Sequence, residues 1–177
     1  MKVYISGGCK NGKSMLAQKL ARKLAGDGPL YYIATMIPHD DEDNHRIKKH
    51  LEDRDGWGFE TIEQGREILK CLDMSEKNGT FLLDSVTALV QNEMFKEDKI
   101  DLKAGIRVAE ELVEFAGKVK NAVMVSDYIF ADAERYDMLT EEYRRALAMA
   151  DKTAKECDLV IEVCAGNYIV HKGELYI

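Results

Sequence analysis

The run Gly7-Gly8-Cys9-Lys10-Asn11-Gly12-Lys13-Ser14 constrains this chain more than any other stretch. It fits the pattern of Gly, four residues, then Gly-Lys-Ser, and it is flanked as that pattern requires. Lys2-Val3-Tyr4-Ile5-Ser6 before it is apolar and β-branched, suited to a buried strand, and Ser14 to Ala25 after it carries apolar residues at helical spacing. A strand, a glycine-rich loop and a helix in that order curl backbone N–H groups around a phosphate and add the partial positive charge of the helix N-terminus. Lys13 then reaches the outer phosphates and Ser14 offers a hydroxyl to Mg²⁺. The chain is expected to bind a nucleoside triphosphate, GTP or ATP, and no motif specifies the base. The alternative is a glycine-rich turn without a ligand.

The rest of the chain supports that frame. At 177 residues it fits one domain, residues 1–177, with 32% charged and 46% hydrophobic residues, the balance of an ordinary globular protein. Its net charge of −7 argues against a general nucleic-acid or membrane-surface binder, so an anionic substrate has to be met by local basic clusters. Cys9, Cys71, Cys157 and Cys164 form no C-x-x-C pair, which points to free thiols in a reducing cytosol. The chain opens on a strand, without a basic-then-apolar leader, and has no apolar run near about 18 residues, so a cytoplasmic location with no membrane span is expected.

Apolar runs alternate with helical patterns. Leu30 to Thr35, Phe59 to Ile62, Thr80 to Leu83, Ala122 to Val125 and Leu159 to Cys164 read as strands. The last pairs with Tyr168 to His171, and Glu174 to Ile177 is expected to close a terminal hairpin across Lys172-Gly173. The clearest helix runs from about Asp101 to Lys120, with Leu102, Ile106, Ala109, Leu112 or Val113, Ala116 and Val119 as the stripe facing a sheet. The expected fold is α/β: a mostly parallel sheet flanked by helices, P-loop NTPase-like, with a C-terminal β-hairpin and ligands at the carboxyl ends of its strands.

A second constellation follows. Asp40-Asp41-Glu42-Asp43-Asn44 is an acidic cap for a helix that carries Arg46, His50 and Arg54 at successive spacings of four, all on one face. Such a cationic face could meet the triphosphate, with the arginines disfavouring protonation of His50 and keeping its imidazole nucleophilic. The alternative is a solvated basic face with an incidental histidine. His45 and His50 are five apart and do not share a face, which argues against zinc. Asp84, ending the apolar run Phe81-Leu82-Leu83, either orients Mg²⁺ opposite Ser14 or caps the helix that follows. Cys9 reads as a filler position of the loop; Trp57, Tyr31 and Tyr32 read as core or interface.

Taken together, Gly7 to Ser14, Tyr32-Ile33-Ala34-Thr35, Arg46-Ile47-x-x-His50-x-x-x-Arg54 with Trp57, Thr61 and Glu63, and Leu82 to Thr87 with Asn92 resemble the bifunctional adenosylcobinamide kinase/adenosylcobinamide-phosphate guanylyltransferase family of cobalamin biosynthesis. The resemblance implies phosphorylation of the aminopropanol hydroxyl of a corrinoid, adenosylcobinamide, and then transfer of GMP from GTP through a guanylylated histidine at the position of His50. It implies catalytic roles for His50, Lys13 and Asp84, Mg²⁺ on Ser14 and Asp84, nucleotide contacts from the loop, Arg46, Arg54 and Glu63, and assembly as a trimer. Toward the carboxyl end the chain departs from the family. Val125-Ser126-Asp127-Tyr128-Ile129-Phe130 stands where a Thr-Asn-Glu-Val-Gly stretch is usual, and Ala148 to Lys152 stands where Gly-Arg-x-Asn-Gln is frequent. A nucleotide-binding regulatory or partner protein, and a P-loop kinase of another small alcohol, are the competing functions.

Overall fold

Strict alternation along the strands gives this chain two hydrophobic layers. Tyr4, Phe81, Leu83, Ala122 and Met124 point to one face of the sheet, and Val3, Ile5, Leu82, Val123 and Val125 to the other. The computed structural model describes residues 1–38, 40–96, 99–129 and 134–175, with the side chains of Arg46, His50 and Asp53 outside the description. The elements run β1 (Lys2–Gly7), α1 (Lys13–Ala25), β2 (Leu30–Ala34), α2 (Asp41–Asp53), β3 (Glu60–Glu63), β4 (Thr80–Asp84), α3 (Val86–Met94), β5 (Phe95–Lys96), β6 (Lys99–Ile100), α4 (Ala104–Lys118), β7 (Asn121–Asp127), α5 (Met138–Ala150), β8 (Leu159–Cys164) and β9 (Asn167–Lys172), with short 3₁₀ turns at Ile68–Asp73 and Asp151–Glu156.

Seven strands form one sheet in the order β3-β2-β4-β7-β1-β8-β9. Every pair in it is parallel except β8–β9, an antiparallel hairpin that turns at Ala165-Gly166. The expected α/β fold and C-terminal hairpin are therefore present. The expected strand over Glu174 to Ile177 is not: Glu174 and Leu175 lie outside any strand, and the last two residues lie outside the described residues. Leu175 packs on the core layer under α1. The small hairpin of β5 and β6 has no sequence signal, being two residues per strand.

α1 covers one face through Ala17, Leu20, Ala21 and Ala25, and α3, α4 and α5 cover the other. In α4 the expected stripe holds in its second half, where Leu112, Ala116 and Val119 are buried, and fails in its first. Leu102, Ile106 and Val113 are exposed, and the face on the sheet is Ala104, Val108, Leu112, Phe115 and Ala116. The helix offers two apolar stripes, and the aromatic wins the core because Phe115 meets Phe81 edge-on at 5.3 Å while Phe81 stacks on Tyr31 at 4.8 Å. Tyr31 and Tyr32 are buried, as expected of core residues.

All the parallel strands point their carboxyl ends the same way. That edge gathers the loop after β1, the turn into α2 after β2, Glu63 at the end of β3, Asp84 at the end of β4 and Asp127 at the end of β7.

Candidate active site

The loop between β1 and α1 starts at a position only glycine can fill. A Cβ on Gly7, which has φ +154°, would stand 2.2 Å from the Val163 carbonyl oxygen of β8. At the loop's other end Gly12, with φ +93°, begins α1 without a side-chain cap. The first turn therefore keeps backbone donors for an anion, apart from a long 3.4 Å bond from the Lys13 N–H to Asn11 Oδ1. Gly8, Cys9 and Lys10 are exposed along the rim, with Cys9 Sγ 3.8 Å from Asp127 Oδ1, and Ser14 opens the helix half-buried. Asn11 fastens the loop outward, its Nδ2 donating to the Val163 carbonyl.

Lys13 is folded into the loop, 6% exposed, and its ammonium donates to the Gly8 carbonyl at 2.7 Å and to Asp127 Oδ1 at 2.7 Å. Asp127 is the residue that sequence reasoning misses. In the sequence it stands only as a departure from a family pattern, and its meaning depends on β7 lying directly beside β1, which no local pattern announces. Thr87 Oγ1 accepts from the Asp127 N–H at 2.8 Å and fixes the strand end.

The two departures from the family pattern meet in space. Ser126 donates to Asp151 Oδ1 at 2.7 Å, and the Tyr4 hydroxyl donates to the same oxygen. Burial raises the Asp151 carboxyl above the usual range against those two hydrogen bonds, and the Asp127 charge pushes it further up. Burial, followed by the Asp151 charge, also raises the Tyr4 phenol, which stays a donor.

Asp84 ends β4, one strand removed from β1. It is not the cap of α3: Ser85 takes that place, its side chain accepting from the Ala88 N–H at 3.2 Å. The Asp84 carboxylate instead accepts from the Tyr32 hydroxyl at 2.9 Å. Burial, then the Asp84 charge, holds the Tyr32 phenol well above its ordinary value, so it remains protonated as that donor. Behind Asp84, Thr35 and Ser85 exchange bonds at 2.7 and 2.8 Å, and Asn92 Nδ2 donates to the carbonyls of Thr35 and Gly65 at 2.7 and 2.9 Å. These bonds lock the ends of β2 and β4 to α3, which explains in physical terms why Thr35, Ser85 and Asn92 belong to one pattern.

α2 stands over this corner. Asp40 caps it, accepting from the Asp43 N–H at 2.8 Å, and the acidic first turn suits the helix dipole. Arg54, expected on the same face as Arg46 and His50, is the residue that ends the helix. Its guanidinium lies 4.0 Å from the centre of the Tyr32 ring and donates to Thr61 Oγ1 at 3.1 Å. Arg46 and His50 are in α2, but their side chains lie outside the described residues. Between α2 and the strand ends is a cavity of about 270 Å³, bordered by Ile47 and Leu51 of α2 and by Tyr32, Arg54, Glu63 and Asp84. The structure thus brings Asp84, Arg54 and Glu63 to one cavity, and Lys13 and Ser14 to the neighbouring loop.

All four cysteines are free: Cys9 and Cys164 are exposed, and Cys71 and Cys157 are buried with their thiols pushed up to about 12, chiefly by desolvation. Among the described residues no helix is long and apolar enough to cross a membrane.

Two solved structures share the fold. One, an ATPase domain, has a TM-score of 0.57 at 11% identity, covering 97% of this chain and 76% of that one. The protein PH0250 from Pyrococcus horikoshii OT3 has a TM-score of 0.53 at 8% identity, covering 97% and 86%. At such identities the likeness speaks for a P-loop NTPase-like fold alone. No curated protein matches the sequence. The sequence family described as cobinamide kinase / cobinamide phosphate guanyltransferase (CobU) matches residues 3–170. That span holds the loop, α2, Asp84 and Asp127 together, and the chain belongs to this enzyme family of cobalamin biosynthesis.

Proposed function

We propose that this chain, a single nucleotide-binding domain over residues 1–177, is a cytoplasmic enzyme that phosphorylates the aminopropanol hydroxyl of adenosylcobinamide and then transfers GMP from GTP to the new phosphate through a guanylylated His50. The observation that carries the proposal is the Lys13 ammonium, held 2.7 Å from Asp127 at the start of a helix that has no side-chain cap for its backbone donors. A triphosphate entering the loop gives Lys13 a second anion to exchange Asp127 for. Gly8 to Gly12 supply backbone donors along its length.

The oxygens of Ser14 and Asp84 are hard donors of the kind that suit Mg²⁺. The ion, once bound there, would supply charge neutralisation at the outer phosphates. Asp84 is oriented for that by Tyr32, and the acceptor hydroxyl would enter by the cavity under α2. For GMP transfer, His50 of α2 attacks the α-phosphorus of GTP, a phosphoramidate bond forms, and pyrophosphate leaves with the electrons of the broken P–O bond. Arg46 and Arg54 take up charge on the phosphate oxygens, and Glu63 stands at the strand end as a further nucleotide contact. The aminopropanol phosphate of the corrinoid then attacks the same phosphorus and frees the imidazole.

The enzyme is expected to work as a trimer. In support, Ile100, Leu102 and Ile106 are left in solvent around the start of α4, an apolar surface suited to a subunit contact.

The kinase step is tested by supplying adenosylcobinamide with ATP or GTP and Mg²⁺ and measuring adenosylcobinamide phosphate. The wild type should form it, and Lys13→Ala should lose about 1.5–3 kcal/mol in nucleotide binding and more in turnover. A folded Lys13→Ala protein with unchanged affinity and turnover would overturn the assignment of the loop.

A further inference from the structure

The nucleotide has two ends, and the proposed function accounts for one. Asp127, Asp84 and the α2 cavity all lie on one side of β1, the side of β7 and β4. In phosphoryl transfer the reacting end of the triphosphate faces the metal-holding acids and the acceptor, so its nucleoside end has to leave the loop on the opposite side. On that side stands the β8–β9 hairpin.

A second cavity lies there, about 460 Å³ in volume, within the size range of small-molecule sites. One wall is the loop itself and the first turns of α1, through Asn11, Gly12 and Met15. The facing wall is the hairpin, through Val163 at its base and Gly166 and Tyr168 around its turn. Two contacts fix these walls to each other: the close approach of Gly7 to the Val163 carbonyl, and the Asn11 Nδ2 bond to the same oxygen. The cavity is therefore built into the fold. Tyr168 pairs directly with Val163, so its ring stands on the face of the sheet that α1 covers. The ring is 48% exposed, and Met15 across the cavity is 43% exposed, an unusual amount of apolar surface to leave beside a phosphate loop. Lys19, one helical turn beyond Met15, supplies a positive charge at the mouth.

We propose that this cavity is the nucleobase site of the loop-bound nucleotide during the kinase step, with the Tyr168 ring stacked on the base and Met15 against its other face; the proposal rests on the loop's holding the triphosphate. Stacking on a tyrosine is tolerant of the base, so the site accepts ATP and GTP alike. It is distinct from the cavity under α2, and the kinase and guanylyl-transfer steps then place the nucleoside on opposite sides of the loop.

Isothermal titration of wild type, Tyr168→Ala and Tyr168→Phe with ATP, GTP and inorganic tripolyphosphate, each with Mg²⁺, separates the base site from the loop. Tyr168→Ala should weaken both nucleotides about fivefold or more and leave tripolyphosphate unchanged, and Tyr168→Phe should bind all three as the wild type does. Wild-type nucleotide affinity in Tyr168→Ala would overturn the base site while leaving the loop assignment intact. An equal loss of tripolyphosphate binding would overturn it too, since the ring would then be supporting the loop. Binding of none of the three probes to the wild type would overturn the loop assignment and the base site together. As a second measurement, Tyr168→Trp should show emission quenched by ATP beyond the wild-type change and untouched by tripolyphosphate; an emission indifferent to ATP contradicts the proposal.

Discussion

Asp84 and Ser85 are neighbours with separate duties, and substitutions tell them apart. Ser85 caps α3, so Ser85→Ala should cost about 0.5–2 kcal/mol of stability by chemical denaturation. Asp84 is not that cap, and Asp84→Asn keeps an oxygen for the Tyr32 hydroxyl. Its stability should stay near wild type while the Mg²⁺ concentration for half-maximal turnover rises. An Asp84→Asn protein with lowered stability and unaltered metal dependence would contradict the assignment. Asp151 makes a different kind of claim. Its carboxyl is raised mainly by burial, so the folded state holds that proton more tightly than the unfolded chain does. The associated stabilisation is present at low pH and is lost as pH climbs from the ordinary carboxylate value through the raised one. Asp151→Asn carries no charge to bury and keeps an acceptor for Tyr4 and Ser126. Its stability relative to wild type should improve as pH rises above the ordinary carboxylate range. A difference that does not change as pH rises through and above that range would show that the burial of this charge is not felt.

At the scale of elements, the phase of α4 is the sharpest test. Leu112 is fully buried and Ile106 is 52% exposed, although both belong to the stripe expected from sequence. Leu112→Ala should cost about 2–5 kcal/mol, and Ile106→Ala should stay within about 0.5 kcal/mol in the monomeric state. Comparable losses at both positions would mean the helix is rotated. The contrast also shows what is legible. The loop from Gly7 to Ser14 can be read because its geometry is local: a strand, glycines and a helix adjacent in sequence. The inner strands β1, β2, β4, β7 and β8 can be read because parallel strands covered on both faces are largely apolar. The face of α4 can be read only in its second half, at Leu112, Ala116 and Val119; in its first half a second stripe also satisfies a 3.6-residue period, and the aromatic stack of Tyr31, Phe81 and Phe115 selects Ala104 and Val108 over Leu102 and Ile106. Asp127 is invisible for a related reason. Its partner Lys13 is far away in sequence, and they meet because β7 is inserted between β1 and β4.

For the whole molecule, one sheet edge carries two cavities divided by the loop after β1. On the β7 and β4 side stand Lys13, Asp127, Asp84 and the cavity under α2; on the other side stands the hairpin with Tyr168. On the proposed function, that division would let a single chain of net charge −7 handle anionic substrates through local positive groups: the loop amides, Lys13, and Arg46 and Arg54 on and beside α2. It also means the two activities can be parted. In the proposed mechanism the kinase step needs the loop, a metal-holding acid and a positioned hydroxyl, whereas GMP transfer needs a nucleophile from α2. The most direct measurement is incubation of the protein with α-labelled GTP and Mg²⁺, followed by denaturation and counting of label retained on the chain. The wild type should carry an acid-labile, alkali-stable label, and His50→Ala should carry none while keeping much of its kinase activity; a wild type that takes up no label, or a His50→Ala protein that takes up as much as wild type, would contradict the account.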